Sequence, residues 1–220
     1  MRVLFSRGLI AISKPRCGST SVRRVLDKLV DPTMGDIVVD VAGQRPPYHP
    51  HHTAPFLKKL LIDDGHDISG MKTFIITRNP LDMLWSYFNF FAPDEFGLYN
   101  YNQDWSAGSP VTFETWVMTG RVGMNGGALK LAPDWIRTSD LTPLNLEAHI
   151  ETRDGRTEVD KIFRLEEIDS FILWLSEQTG QTLPMRHVNK SERGALPKFG
   201  DEVLARVKLM FPQESLLYAL

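Results

Sequence analysis

Two segments of this chain combine residue types that bind anions. In Pro15-Arg16-Cys17-Gly18-Ser19-Thr20-Ser21, an apolar run gives way to a loop and then to a helical pattern. Free backbone N–H groups at a helix N-terminus, together with the helix dipole, make an anion site. Gly18 lets the backbone approach a ligand closely. Ser19, Thr20 and Ser21 add hydroxyl donors, Cys17 adds a backbone N–H, and Arg16 adds a permanent charge with paired donors. There is no G-x-x-x-x-G-K-[ST] pattern, so this is not a Walker A loop. The plainer reading of the same residues is a capped helix after a strand.

The second segment is Arg78-Asn79-Pro80-Leu81-Asp82-Met83-Leu84-Trp85-Ser86-Tyr87. Arg78 ends an apolar strand pattern, where open α/β sheets place their ligands. Asp82 and Ser86 fall at i, i+4 on a predicted helix, on a face apart from Leu84, Trp85 and Phe88. An arginine with a hydroxyl suits a phosphate monoester. The alternative is a local Arg78–Asp82 ion pair, which stabilises little.

A third group is His49, His51 and His52, in a Pro- and His-rich loop from Gly43 to His52. Histidine removes protons well near neutral pH. No Cys, Asp or Glu stands in the cluster, which argues against a metal site. A surface loop of idle histidines is the remaining alternative. His66, His149 and His187 stand alone and receive no role. Trp85, Trp116, Trp135 and Trp174 are candidates to stack on a base or sugar, although Trp85 and Trp174 lie on or beside apolar helical faces and read as core. Glu166 and Glu167 read as helix-start acids.

These groups need elements to hold them. Leu9 to Ser13 reads as a buried strand. Val22, Val25, Leu26, Leu29 and Val30 share one helical face, with Ser19 or Thr20 as the cap. Ile37 to Val41 is a second strand. Thr53 caps a helix through Phe56, Leu57, Leu60 and Leu61, with Pro55 in its first turn. Phe74-Ile75-Ile76-Thr77 is a third strand, and Leu81, Leu84, Trp85 and Phe88 face inward on the next helix. Ala92 to Pro110 has the length of a lid or substrate loop, Phe113 to Met118 reads as a short helix, and Gly120 to Ala132 as irregular. His149–Arg153 and Glu158–Leu165 flank Asp154-Gly155-Arg156 as a hairpin. A helix through Ile168, Phe171, Ile172 and Leu175 stops at Gly180, and Asp201 to Leu220 is helical. Strand–loop–helix order predicts an α/β domain whose central sheet is mainly parallel and flanked by helices.

Composition bounds what such a domain binds. The 220 residues suit one domain, 1–220, and carry a formal net charge of −2. No global basic field therefore draws nucleic acid or an anionic membrane, and any anion must be held by a local cluster. Cys17 is the single cysteine, so no internal disulfide forms and a reducing compartment is expected. No apolar run reaches membrane-spanning length, and Lys14-Pro15-Arg16 follows the N-terminal apolar patch where a cleavage site would need small residues. The expectation is a soluble cytoplasmic protein.

The two anion segments together resemble sulfotransferases. Pro15 to Ser21 looks like their 5′-phosphosulfate loop, and Arg78-Asn-Pro-x-Asp-x-x-x-Ser-Tyr87 looks like their 3′-phosphate motif. Each follows an apolar strand, in the family's order, about sixty residues apart. His51-His-Thr-Ala54 resembles the H-x-T-A of carbohydrate-type members. Phe163-Arg-Leu-Glu166 and His187-Val-Asn-Lys-Ser-Glu-Arg193 are similar to their C-terminal half. The resemblance implies a P-loop NTPase-like fold and the co-substrate 3′-phosphoadenosine 5′-phosphosulfate (PAPS), without a metal. It implies a 5′-end cradle from Cys17 to Ser21, a 3′-phosphate site at Arg78 and Ser86, and a further cofactor contact at Arg193. His51 becomes the base that takes the acceptor proton, with His52 and His49 as rivals. The acceptor is then a carbohydrate or other small hydroxylated molecule.

Where the family carries a loop lysine, this chain has Arg16. Arginine stabilises developing charge but donates protons poorly. Lys14 substitutes only if the backbone turns it inward. Two other readings compete: a P-loop kinase acting on a small molecule, and a non-catalytic nucleotide-binding module on the same fold.

Overall fold

The computed structural model describes residues 1–40, 47–91, 112–119, 140–183 and 195–220. These form one sheet of five strands and a set of helices, divided between two compact units. The first comprises residues 1–78 and 147–191, and the second residues 79–146 and 192–220.

The first unit holds the sheet. Its strands are β1 (Arg2–Leu4), β2 (Leu9–Ile12), β3 (Ile37–Val38), β4 (Lys72–Thr77) and β5 (Lys161–Arg164), in the order β3-β1-β2-β4-β5. Leu9 to Ile12 is apolar at every position and fully buried, as a strand covered on both faces must be. β2, β4 and β5 run parallel, with Ile12 opposite Ile75 and Thr77 opposite Arg164. β1 is antiparallel to both β2 and β3. The sheet is thus mixed, with two parallel and two antiparallel pairings, so the parallel expectation holds for the half from β2 to β5. The cause is local. Only a single 3₁₀ turn, Phe5–Arg7, and Gly8 at φ 62° separate β1 from β2, too little chain for a parallel crossover.

Successive side chains on a strand point to opposite faces. Leu4, Leu9, Ala11, Phe74 and Ile76 pack on one side against α1 (Ser19–Leu26) and, farther along the chain, the helix Ile168–Thr179. The aromatic part of this core joins Phe74 to Phe163, Phe171 and Trp174, with ring centroids 6.3, 5.3 and 5.2 Å away. On the opposite side Ile10, Ile12 and Ile75 are also buried. α2 (Ala54–Asp63) buries Ala54, Leu57 and Leu61. The Ile168 helix ends as expected, with Gly180 at φ 66° as its left-handed cap. The proposed hairpin is reduced to one bridge, Glu151 to Thr157, and His149 lies in the helix Leu146–Ile150.

The second unit is helical among the described residues. Its elements include α3 (Pro80–Phe91), α4 (Phe113–Thr119) and, numbering on past the two helices already named (α5, Leu146–Ile150, and α6, Ile168–Thr179), α7 (Asp201–Met210) and α8 (Pro212–Leu217). The single C-terminal helix of the sequence reading is therefore two, parted at Phe211–Pro212, where proline removes a helical donor. Trp85 stacks on Phe88 and meets Phe113 edge-on. Trp116 is 1% exposed, so it is closed into the core and withdrawn as a stacking candidate. Arg206 Nε donates to Val117 O at 2.8 Å, and the Gly200 N–H donates to Glu114 Oε1 at 3.2 Å, tying α7 to α4. No helix among the described residues is long and apolar enough to cross a membrane.

Phe74 is 1% exposed at the centre of the aromatic cluster. Phe74→Ala should cost about 3–5 kcal/mol of unfolding free energy. Urea denaturation checks this, and a loss below about 1 kcal/mol would show that the cluster does not carry the core.

Candidate functional site

β2 and β4 are parallel neighbours, so the segments that leave their C-terminal ends emerge at one edge of the sheet. After β2 the chain makes a tight loop from Ser13 to Gly18. Arg16 has φ 60° and Gly18 φ 73°, two left-handed residues in three. For arginine this backbone is unfavourable, and its retention marks a loop held by its surroundings. Part of that hold is Leu165, at the start of the turn after β5. A Cβ on residue 18 would stand 2.5 Å from Leu165 Cδ1, so glycine is required for closeness as well as for φ.

α1 begins at Ser19, with Gly18 as its cap in place of the expected Ser19 or Thr20, and no side chain caps it. The first helical bond is Val22 N to Gly18 O at 3.1 Å. The amides of residues 19–21 therefore lie outside the helical ladder, at the positive end of the dipole. Lys14 is turned inward and is 1% exposed. With Ser13, Cys17 and Ser19 it lines a cavity of about 10 Å³ between the loop and the core residues Phe74 and Ile76, room for about one water.

The histidines separate clearly. His51 Nδ1 lies 2.8 Å from the Ser13 carbonyl oxygen, which only accepts, so Nδ1 carries the proton and donates. Nε2 is then the lone-pair nitrogen of the neutral ring. His52 Nε2 instead lies 3.1 Å from the Pro47 carbonyl oxygen, and its ring packs on Phe56 at 4.6 Å. His49 Nδ1 accepts from the His51 amide at 3.2 Å. Of the three, His51 is the one bonded to the anion loop. Burial pushes its pKa down from 6.5 to about 4, against the upward pull of the Ser13 bond, and the N-terminal ammonium and then Arg23 lower it further. Burial also lowers His49, with His52 adding to the effect.

Arg78 directly follows β4 and is half-buried at the same sheet edge as the loop. Ser86 lies in the second unit, on α3, and is 2% exposed. Asn79 opens α3, its side-chain oxygen accepting from the Leu81 amide at 3.0 Å. Arg193 lies outside the described residues, as do Ala92 to Pro110, Gly120 to Ala132, Trp135 and His187. Among the described residues, no group of three or more His, Cys, Asp or Glu is arranged to hold a metal ion.

Two residues near the loop escaped the sequence reading. Leu165 sat inside Phe163-Arg-Leu-Glu166, but contact across the sheet edge has no signature in one sequence. Arg23, to which the apolar periodicity of α1 assigns nothing, is largely buried beside Thr20, with Nη2 3.4 Å from Thr20 Oγ1.

No family model, no characterised protein and no solved structure matches this chain.

The His51 geometry gives a direct prediction. In histidine-resolved NMR, its ring should titrate near pH 4, well below the ordinary 6.5. The unfolded chain then binds the extra proton, so His51 lowers stability progressively as pH falls from 6.5 to about 4. A midpoint between about 6 and 7 would overturn the buried neutral assignment.

Proposed function

We propose that the chain is a PAPS-dependent sulfotransferase with a P-loop-like fold, acting on an acceptor hydroxyl of a carbohydrate or other small molecule. The observation that carries the reading is the His51 Nδ1–Ser13 O bond. It fixes a neutral histidine beside a glycine-containing anion loop, with the acceptor nitrogen of the ring left for a proton. The sequence resemblance supplies the donor's identity, and the loop geometry is consistent with it.

In this reading the amides of residues 19–21 and the Ser19 and Thr20 hydroxyls receive the 5′-phosphosulfate end. Arg78 binds the 3′-phosphate. The donor brings a sulfuryl group attached to a phosphate leaving group. As the acceptor oxygen forms its bond to sulfur, the bond from sulfur to the bridging oxygen breaks, and the acceptor proton passes to His51 Nε2. Arg16 and Lys14 stabilise the charge that develops on the bridging oxygen. Lys14 is the second cation of this segment, where the family lysine is replaced by arginine. Its burial among Ser13, Cys17 and Ser19 holds it to the inner side of the loop.

Titration calorimetry tests the nucleotide half. 3′,5′-Adenosine bisphosphate should bind at least about tenfold tighter than ADP, since a charge-assisted bond to the 3′-phosphate contributes about 1.5–3 kcal/mol. Equal affinities would sink the proposal. Arg78→Ala should remove most of that preference and leave the fold intact.

Steady-state kinetics with labelled PAPS and a screened acceptor test the base. His51→Ala should lower kcat by about 10²–10⁴-fold and, because the bond to Ser13 O goes with the ring, raise the KM for PAPS by a smaller factor. Unchanged turnover would remove His51 from the mechanism.

A further inference from the structure

Tyr48 has no part in the mechanism proposed above, yet it is 7% exposed and its hydroxyl donates to Asp64 Oδ2 at 2.5 Å. The two residues come from opposite ends of α2. Asp64 caps the helix at its C-terminal end, and Tyr48 belongs to segment 47–53, which leads into its N-terminal end. The ten residues of α2 span about 15 Å. For the Tyr48 hydroxyl to reach Asp64, the segment must run back along the helix as a strap.

The strap is braced within itself and fastened to the helix. The His52 amide donates to His49 O at 3.4 Å, the His51 amide to His49 Nδ1 at 3.2 Å, and His52 Nε2 lies 3.1 Å from Pro47 O. The His52 ring packs on Phe56 of α2 at 4.6 Å, and the Leu57 amide donates to Thr53 O at 2.9 Å. The far end of α2 is fixed as well. Gly65 at φ 82° turns the chain out of the helix, and the Gly65 and His66 amides donate to Ile62 O and Leu61 O, each at 2.9 Å. The His66 ring stacks on Phe5, between β1 and β2, at 4.7 Å. Asp64 is thus a fixed acceptor for Tyr48.

His51 sits between two holds. Its ring is held by Ser13 O through Nδ1, and its backbone by the strap. One hydrogen bond to the ring leaves the residue free to swing about it. A hold on the backbone removes that freedom. A base must keep its position to within about 0.5 Å to act efficiently.

We propose that the Tyr48–Asp64 hydrogen bond is a latch that closes the strap on α2 and thereby positions His51 against the anion loop. Tyr48 and Asp64 are positioning residues, acting through His51. The proposal rests on the transferase reading for the role of His51 as a base, and on the geometry alone for the seating of its ring.

The test is histidine-resolved NMR on the full chain, with urea unfolding of each variant alongside. Tyr48→Phe removes the hydroxyl and keeps the ring. The loosened strap should let water reach His51, so its titration should rise from about 4 to above about 5. Asp64→Ala, at an exposed position, should do the same, and the double variant should add nothing further. Asp64→Asn keeps an acceptor oxygen and should restore most of the wild-type titration. In labelled-PAPS kinetics, Tyr48→Phe should lower kcat by about 10–100-fold and change the KM for PAPS far less. A role confined to stability would lower the urea midpoint and leave the folded His51 titration at about 4, which overturns the latch. A shift in Tyr48→Phe with none in Asp64→Ala overturns the pairing. The titration is read without PAPS, so it stands or fails apart from bisphosphate affinity in the wild type, which judges the transferase reading.

Discussion

The parallel pairing of β2 with β4 is the constraint on which the first unit's chemistry depends. Four residue pairs, Leu9–Lys72 through Ile12–Ile75, set both strands in register. A one-residue slip would exchange the faces of β4, moving Phe74 and Ile76 away from α1 and α6. It would also shift Arg78 relative to the loop that starts at Ser13. Core packing and site geometry are therefore settled by the same register. The aromatic cluster around Phe74 stabilises that register, although none of its residues is placed in the binding machinery.

The loop itself is less comfortable than the sheet. A left-handed arginine costs roughly 1–2 kcal/mol relative to a relaxed backbone. Leu165 against Gly18 and His51 against Ser13 O hold the loop from two sides. Each contact comes from a segment distant in sequence, one after β5 and one before α2. The loop's shape is thus a tertiary property. Its amides are oriented before any ligand arrives, which lowers the ordering cost that binding would otherwise carry.

This explains what could be read from one sequence and what could not. β2, β4, α1 and α6 were legible because Leu9 to Ile12, Phe74 to Ile76, Val22 to Leu29 and Ile168 to Leu175 carry clean apolar patterns, and Gly180 marks a stop. β1 was not, since Arg2–Leu4 is three residues long and holds a charge. That arginine is 1% exposed and paired to two aspartates, which composition cannot reveal. The loop and His51 were legible as residue types. The preference for His51 over His49 and His52 became geometric only through Ser13, a residue whose carbonyl carries no sequence signal. Lys14 was legible only as a residue type, and its burial beside Cys17 and Ser19 is set by tertiary packing. The antiparallel pairing was hidden with β1, although β3 itself falls within the strand read over Ile37 to Val41.

The electrostatics of the loop region follow from these placements. The chain's net charge of −2 is nearly neutral, yet Lys14, Arg16 and Arg23 cluster around one helix start. Burial keeps His51 neutral, with the N-terminal ammonium and Arg23 adding repulsion, because an imidazolium there would be both desolvated and repelled. A histidine with a pKa of about 4 is a weak base in the free protein. A bound phosphate or carboxylate would raise that value by adding opposite charge nearby. An anion held by the loop would therefore strengthen His51 as a base at the moment it binds. Basicity would then be greatest with the anion bound and least in the empty site, where the neutral ring keeps the loop in place through Ser13 without adding a further charge to it.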